Sequence, residues 1–197
     1  MKGPAQGRPA QGRPAQRRPA QRRPAQTRRN TARRPTPLAK IELVLLDVDG
    51  VLTDGRLFFS ARGEAQKAFH VRDGHGIKLL MKSGVAVAVA SGRRSPAVTA
   101  RMRELGVRHL VQGCADKLET LRDLAERLGV DPLACACLVD DTPDLPLMTA
   151  VGFAAAVADA HPLVLSAAHW VSAQPGGAGA VRELADLLLR ARAARTV

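Results

Sequence analysis

There is no tyrosine in this chain of 197 residues, one tryptophan and four phenylalanines. So sparse an aromatic set argues against a surface that binds single-stranded nucleic acid by stacking bases on rings. Cysteine is nearly as scarce, at three residues. Cys135 and Cys137 share a side of any strand they occupy, and with Cys114 they complete no Cys/His zinc pattern. They read as reduced core residues of a cytoplasmic protein. No apolar run approaches the roughly 20 residues of a membrane span, so no membrane partner is expected. The basic N-terminus leads into no apolar stretch of the secretory type.

Acids are missing from residues 1–40, which hold 12 of the chain's 30 Lys and Arg. Residues 41–197 then carry 18 basic residues against 18 acidic, so the formal charge of +12 belongs to the first forty residues and the body is neutral. Within the basic segment PAQGR, PAQGR, PAQRR, PAQRR and PAQTR follow one another from Pro4. Such a repeat has no apolar face to bury, and its prolines block helix and sheet alike. Residues 1–37 are therefore expected to be a disordered basic tail, and residues 38–197 the folded domain. A tail of this kind attracts nucleic acid non-specifically through phosphate charge; the competing reading is a dispensable extension.

The body alternates two patterns. Apolar runs at 41–46, 85–90, 134–139 and 153–157 read as buried strands, with shorter ones at 109–112 and 169–171. Helical spacing or helix-ending glycines mark 74–84, 95–105, 115–128 and 179–194. Residues 56–60 and 65–70 flank a turn at 61–63 and suggest a hairpin. Strands separated by helices imply an α/β fold, a mostly parallel sheet in three layers.

In such sheets ligands gather beyond the carboxyl ends of the strands. Asp47 and Asp49 follow the first strand, Ser91, Gly92 and Arg93 the second, and Asp140, Asp141 and Asp144 the ACACLV strand, while Lys117 opens a helix between them. Crowded carboxylates repel one another and call for a cation. An all-oxygen set with few protein ligands suits Mg²⁺. The plainer reading, that these are strand-end turn residues and caps, suits Asp54 best.

LLDVDGVLTDG at 45–55, VASGR at 89–93, Lys117 and VDDTPD at 139–144 resemble, in order, the four motifs of the haloacid dehalogenase superfamily of phosphotransferases. The stretches GRLFFSARGEAQKAFHVRDGHGIKLL, VRHLVQGCADKLETL and VADAHPLVLSAAHWVSAQPGGAGAVREL are similar to the 3-deoxy-D-manno-octulosonate 8-phosphate phosphatase family, over about residues 41–192. The resemblance implies a three-layer Rossmann-like fold with a hairpin after the first strand and no cap domain. It implies Mg²⁺-dependent hydrolysis of 3-deoxy-D-manno-octulosonate 8-phosphate, on the path to lipopolysaccharide, through an aspartyl-phosphate. Asp47 would be the nucleophile, Asp49 the general acid/base, and Ser91 and Lys117 would hold the phosphoryl group. Asp47, Asp49 (through its carbonyl) and Asp140 would hold the metal, with Asp141 and Asp144 supporting. Arg72 and Arg93 are the candidates for the substrate's anionic groups, beside Gly92. His70, His75 and His161 read as caps or packing.

The family pattern also implies a homotetramer, in which Phe58, Phe59 and Phe69 would border a neighbour, the competing reading being packing of the hairpin on its own domain, and Gly176, Gly177 and Gly179 would let the C-terminal segment approach a neighbour's site, the competing reading being a plain loop before the last helix. Two rivals stand beside this reading: a phosphatase for a nine-carbon sugar-acid 9-phosphate, and a non-catalytic anion-binding or nucleic-acid-binding protein acting through the tail. Two residues depart from the usual motifs. Ser91 stands where many members carry Thr, and Val139 replaces a glycine, which could crowd the loop.

Overall fold

The structure, a computed structural model, describes Met1, Gly3, residues 35–61 and residues 63–194. The expected tail lies outside the described residues up to residue 34. Thr36 is already held against the body, its N–H donating to the Gly152 carbonyl at 2.9 Å.

Six strands form one sheet: β1 Leu43–Leu46, β4 Ala86–Ser91, β5 His109–Gln112, β6 Cys135–Val139, β7 Phe153–Ala156 and β8 Trp170–Val171, in the order β5-β4-β1-β6-β7-β8. Every neighbouring pair is parallel. This explains why the sequence signal was an unbroken apolar run rather than an alternating one. All four residues of β1 and all five of β6 are buried, covered on both faces by helices. One helix layer comprises α1 (Val71–Lys82), α2 (Pro96–Leu105) and α6 (Ala180–Ala193); the other comprises α3 (Lys117–Leu128), α4 (Leu145–Ala150) and α5 (Pro162–Ala167). The chain runs outward from β1 to β4 and β5, then crosses back to β6 and outward again. The direction of travel reverses between β1 and β6, which opens a crevice above their carboxyl ends.

Several boundaries differ from the sequence expectation. α1 starts at Val71 rather than at residue 74, because the His70 ring accepts from the Arg72 N–H at 3.2 Å and caps it. α4 and α5 were not anticipated; at six residues each, with Pro146 second in α4 and Pro162 first in α5, they are too short to show a period. The hairpin is shorter than expected, β2 Phe58–Ser60 against β3 Gly63–Gln66, antiparallel, with its register shifting between Phe58 and Phe59. No described helix is long and apolar enough to cross a membrane. Cys135 and Cys137 are buried in β6, and burial pushes both thiols up to about 12, which makes them inert.

Candidate active site

The crevice is a cavity of about 360 Å³. Asp47 follows β1 directly, and its Oδ1 accepts from the Val48 N–H at 2.6 Å, which fixes the carboxylate's plane. Its Oδ2 lies 2.9 Å from Nζ of Lys117. That lysine is the first residue of α3, whose start is held by Asp116 accepting from Leu118 N at 2.7 Å and Glu119 N at 3.2 Å. Nζ also reaches Asp144 Oδ2 at 2.7 Å. Burial alone would lower the pKa of Lys117, but the two carboxylates outweigh it and hold the ammonium above its ordinary value.

Asp47, Asp140 and Asp144 each bring one oxygen within 4.8 Å of the others. One lysine cannot neutralise three carboxylates. The strain shows on Asp140, pushed up to about 7 by burial first and by the neighbouring Asp47 second. Asp144 is raised as well, by burial, with Lys117 pulling the other way. The third carboxylate of the cluster is thus Asp144, expected only in support, while the Asp49 side chain turns elsewhere. Asp49 Oδ1 is ion-paired with Lys67, and its Oδ2 stands 3.9 Å from Arg93. Asp141 lines the cavity and caps the turn at Thr142–Asp144, accepting from Thr142 N at 2.7 Å.

Ser91 ends β4, is buried, and its Oγ accepts from the Arg93 N–H at 3.1 Å. Gly92 and Arg93 line the same wall. Arg72 does not line the cavity: it is exposed in the first turn of α1. His70 and His161 cap helices, as expected. Val139 ends β6 in register with Ala156, a strand position that suits a β-branched side chain.

Two close approaches shape the floor. At Gly50, with φ +84°, a Cβ would lie 2.0 Å from Asp140 Oδ2, so only glycine leaves room for that carboxylate. At Gly176 a Cβ would lie 1.8 Å from the Gly50 carbonyl, and Gly177 N–H donates to Val51 O at 2.9 Å. The approach expected from the 176–179 glycines is therefore made within the chain, against its own turn after Asp49.

Sequence reasoning missed three residues. Lys67 and Glu64, from the hairpin, pair with Asp49 and Arg93 of the crevice wall, and the lone cation in AQKAF was the available signal. Burial would raise Glu64, but Ser95, Lys67 and Arg93 outweigh it and hold the carboxyl below its ordinary value. Asp73, 1% exposed, accepts from the Arg182 N–H at 2.8 Å and so caps α6 from another helix. Its carboxyl is raised, by burial foremost.

A carboxylate cluster, a buried lysine and a serine hydroxyl around one crevice of a doubly wound parallel sheet define a phosphotransferase-like site. The family model for haloacid dehalogenase-like hydrolases matches residues 109–184. The chain is 47% identical, over 154 residues, to the 3-deoxy-D-manno-octulosonate 8-phosphate phosphatase of Yersinia pestis, a match covering 78% of this chain and 82% of that protein. Its fold is similar to the cobalt-bound phosphatase of the same kind from Haemophilus influenzae, with a TM-score of 0.78 and 45% identity, covering 80% of this chain and 92% of that one. It is similar also to the Moraxella catarrhalis enzyme in complex with magnesium, phosphate and the sugar acid, with a TM-score of 0.77 and 38% identity, covering 80% and 90%. The chain belongs to the 3-deoxy-D-manno-octulosonate 8-phosphate phosphatase family, the one its motifs resemble.

Proposed function

We propose that the chain is a Mg²⁺-dependent phosphoric monoester hydrolase that converts 3-deoxy-D-manno-octulosonate 8-phosphate to the free sugar acid and phosphate, a step toward lipopolysaccharide. The observation that carries this reading is the Asp47, Asp140 and Asp144 cluster, short of positive charge beside Lys117. Three carboxylates and no softer donor fit a hard cation, and the raised Asp140 marks where its charge is wanted. Asp47 and Asp140 would hold the metal by side chain, as expected from their motifs, with the Asp49 carbonyl completing the set. Magnesium, once bound, supplies charge that draws the phosphoryl oxygens toward the nucleophile.

In this reading Asp47 attacks phosphorus, the bond to the sugar's C8 oxygen breaks, and Asp49 gives that oxygen its proton. Water then attacks the aspartyl-phosphate, its proton passes to Asp49, and the bond between phosphorus and the Asp47 carboxyl breaks. Lys117 and Ser91 stabilise the transferring group, by charge and by hydroxyl donation. Arg93 is proposed for the substrate's anionic groups. Arg72 is retained only as a residue offered to a neighbouring subunit. Phe58 and Phe59, 42% and 63% exposed, support a homotetramer in which the hairpin borders a neighbour. A cytoplasmic setting is proposed for the reduced thiols. Any nucleic-acid contact is assigned to the N-terminal tail alone, as a non-specific charge effect.

The test is phosphate release from the eight-carbon ester, the nine-carbon 9-phosphate and simple sugar phosphates, with magnesium and with EDTA. We expect the eight-carbon acid to have the highest kcat/KM, EDTA to abolish turnover, and Asp47→Asn to form no phospho-enzyme. Absence of metal-dependent release from every ester would refute the reading, and a higher kcat/KM for the nine-carbon ester would reassign the substrate.

A further inference from the structure

Against Asp49 of the crevice wall lies a buried lysine side chain from a residue outside every motif. Lys67 follows the last strand of the hairpin, and its side chain is 1% exposed. A lysine loses that much hydration only against compensating charge. Two carboxylates supply it: Asp49, whose Oδ1 takes a direct ion pair, and Glu64, whose Oε2 lies 3.2 Å away. The Glu64 contact is one of charge rather than an aligned hydrogen bond, since Oε2 is buried with no hydrogen-bond partner. Glu64 is anchored in turn by Ser95, whose Oγ donates to Oε1 at 2.5 Å. Ser95 is the N-cap of α2, so the clamp rests on a rigid helix of the main domain.

Arg93 closes the arrangement. Its guanidinium lies 3.6 Å from Glu64 Oε2, 3.9 Å from Asp49 Oδ2, and 5.9 Å from the centroid of the Phe59 ring over which it sits. The two oxygens of Asp49 are thereby made unequal. Oδ1 is occupied by Lys67, whereas Oδ2 lies beyond hydrogen-bond reach of Arg93, on a residue that lines the cavity. A carboxyl that must pass one proton to one leaving oxygen works best when one of its oxygens is fixed and the other is presented.

We infer that Lys67, braced by Glu64, is a positioning residue for the phosphatase reaction: it holds Oδ1 of Asp49 so that Oδ2 is the oxygen that exchanges the proton with the leaving group. The inference rests on the proposed function, in which Asp49 is the general acid. It makes the hairpin part of the proton-transfer machinery of its own subunit.

The experiment compares kcat/KM for two esters in wild type, Lys67→Met and Lys67→Arg. The sugar-acid phosphate leaves as an alkoxide and needs the proton. p-Nitrophenyl phosphate leaves as a stable anion and does not. Both values count only steps up to departure of the leaving group, so their ratio is independent of the fraction of protein that folds. We expect Lys67→Met to lower the sugar-ester value by about 10²-fold, within the range of general acid catalysis. The aryl-ester value should fall by less than about threefold, and Lys67→Arg should restore most of the ratio. An unchanged ratio in Lys67→Met, whatever the absolute rates, would overturn the inference while leaving the phosphatase reading intact. A wild type inert toward both esters would instead sink that reading, and this inference with it.

Discussion

Asp140 is the residue whose chemistry can be tested most directly. Burial and the nearby Asp47 raise its carboxyl to about 7, so the metal-free protein carries a proton there at mildly acid pH. Magnesium must displace it. Affinity for magnesium should therefore climb as the pH rises toward about 7 and level off above, with about one proton released per ion at pH ~6 and almost none at pH ~8. Calorimetry in buffers of different ionisation heat reads both quantities, and an affinity flat across that range would contradict the assignment. The same shift has a stability consequence in metal-free protein. A folded-state value above the ordinary one makes Asp140's contribution most favourable below the normal carboxylate range, and it is lost as the pH rises through about 7. At this scale the sequence was legible wherever an acid directly follows a strand, because the strand's end fixes where the side chain goes. Lys67 was not, since its partner Asp49 is 18 residues away and meets it only when the hairpin folds back.

Among the elements, β1, β4 and β6 could be read from their apolar runs because strands covered on both faces have no polar side to show. α4 and α5 could not, since a six-residue helix completes fewer than two turns. The docking of α1 on α6 was equally hidden. It depends on Asp73 reaching the first turn of a helix 109 residues further on. Asp73 stands in for the side-chain cap that Gly179 lacks. Asp73→Ala should leave the Arg182 N–H without its partner and cost about 1–3 kcal/mol. Urea denaturation at neutral pH measures it, and a loss under about 0.5 kcal/mol, the range of ordinary surface changes, would show that the cap is dispensable.

For the whole molecule, every side chain assigned to the reaction lies between Asp47 and Asp144, and Thr36 is already bonded to the body. A protein beginning at residue 35 should keep full kcat/KM and run as a tetramer in light scattering, while any affinity for DNA disappears. A large loss of turnover, or a fully active monomer, would respectively give the tail a role or separate assembly from activity.

The loop at 175–179, lodged against Gly50 and Thr53, has a consequence for the order in which the protein is made. β1 and its aspartates are synthesised early, but β1 pairs with β6, and the turn after it is buttressed by glycines near the C-terminus. The ribosome must release almost the entire body before the turn that carries Asp49 has its support. On the proposed reading, a chain cut before residue 175 holds Asp47 without the loop that buttresses the turn after it, and is expected to release no phosphate from its esters.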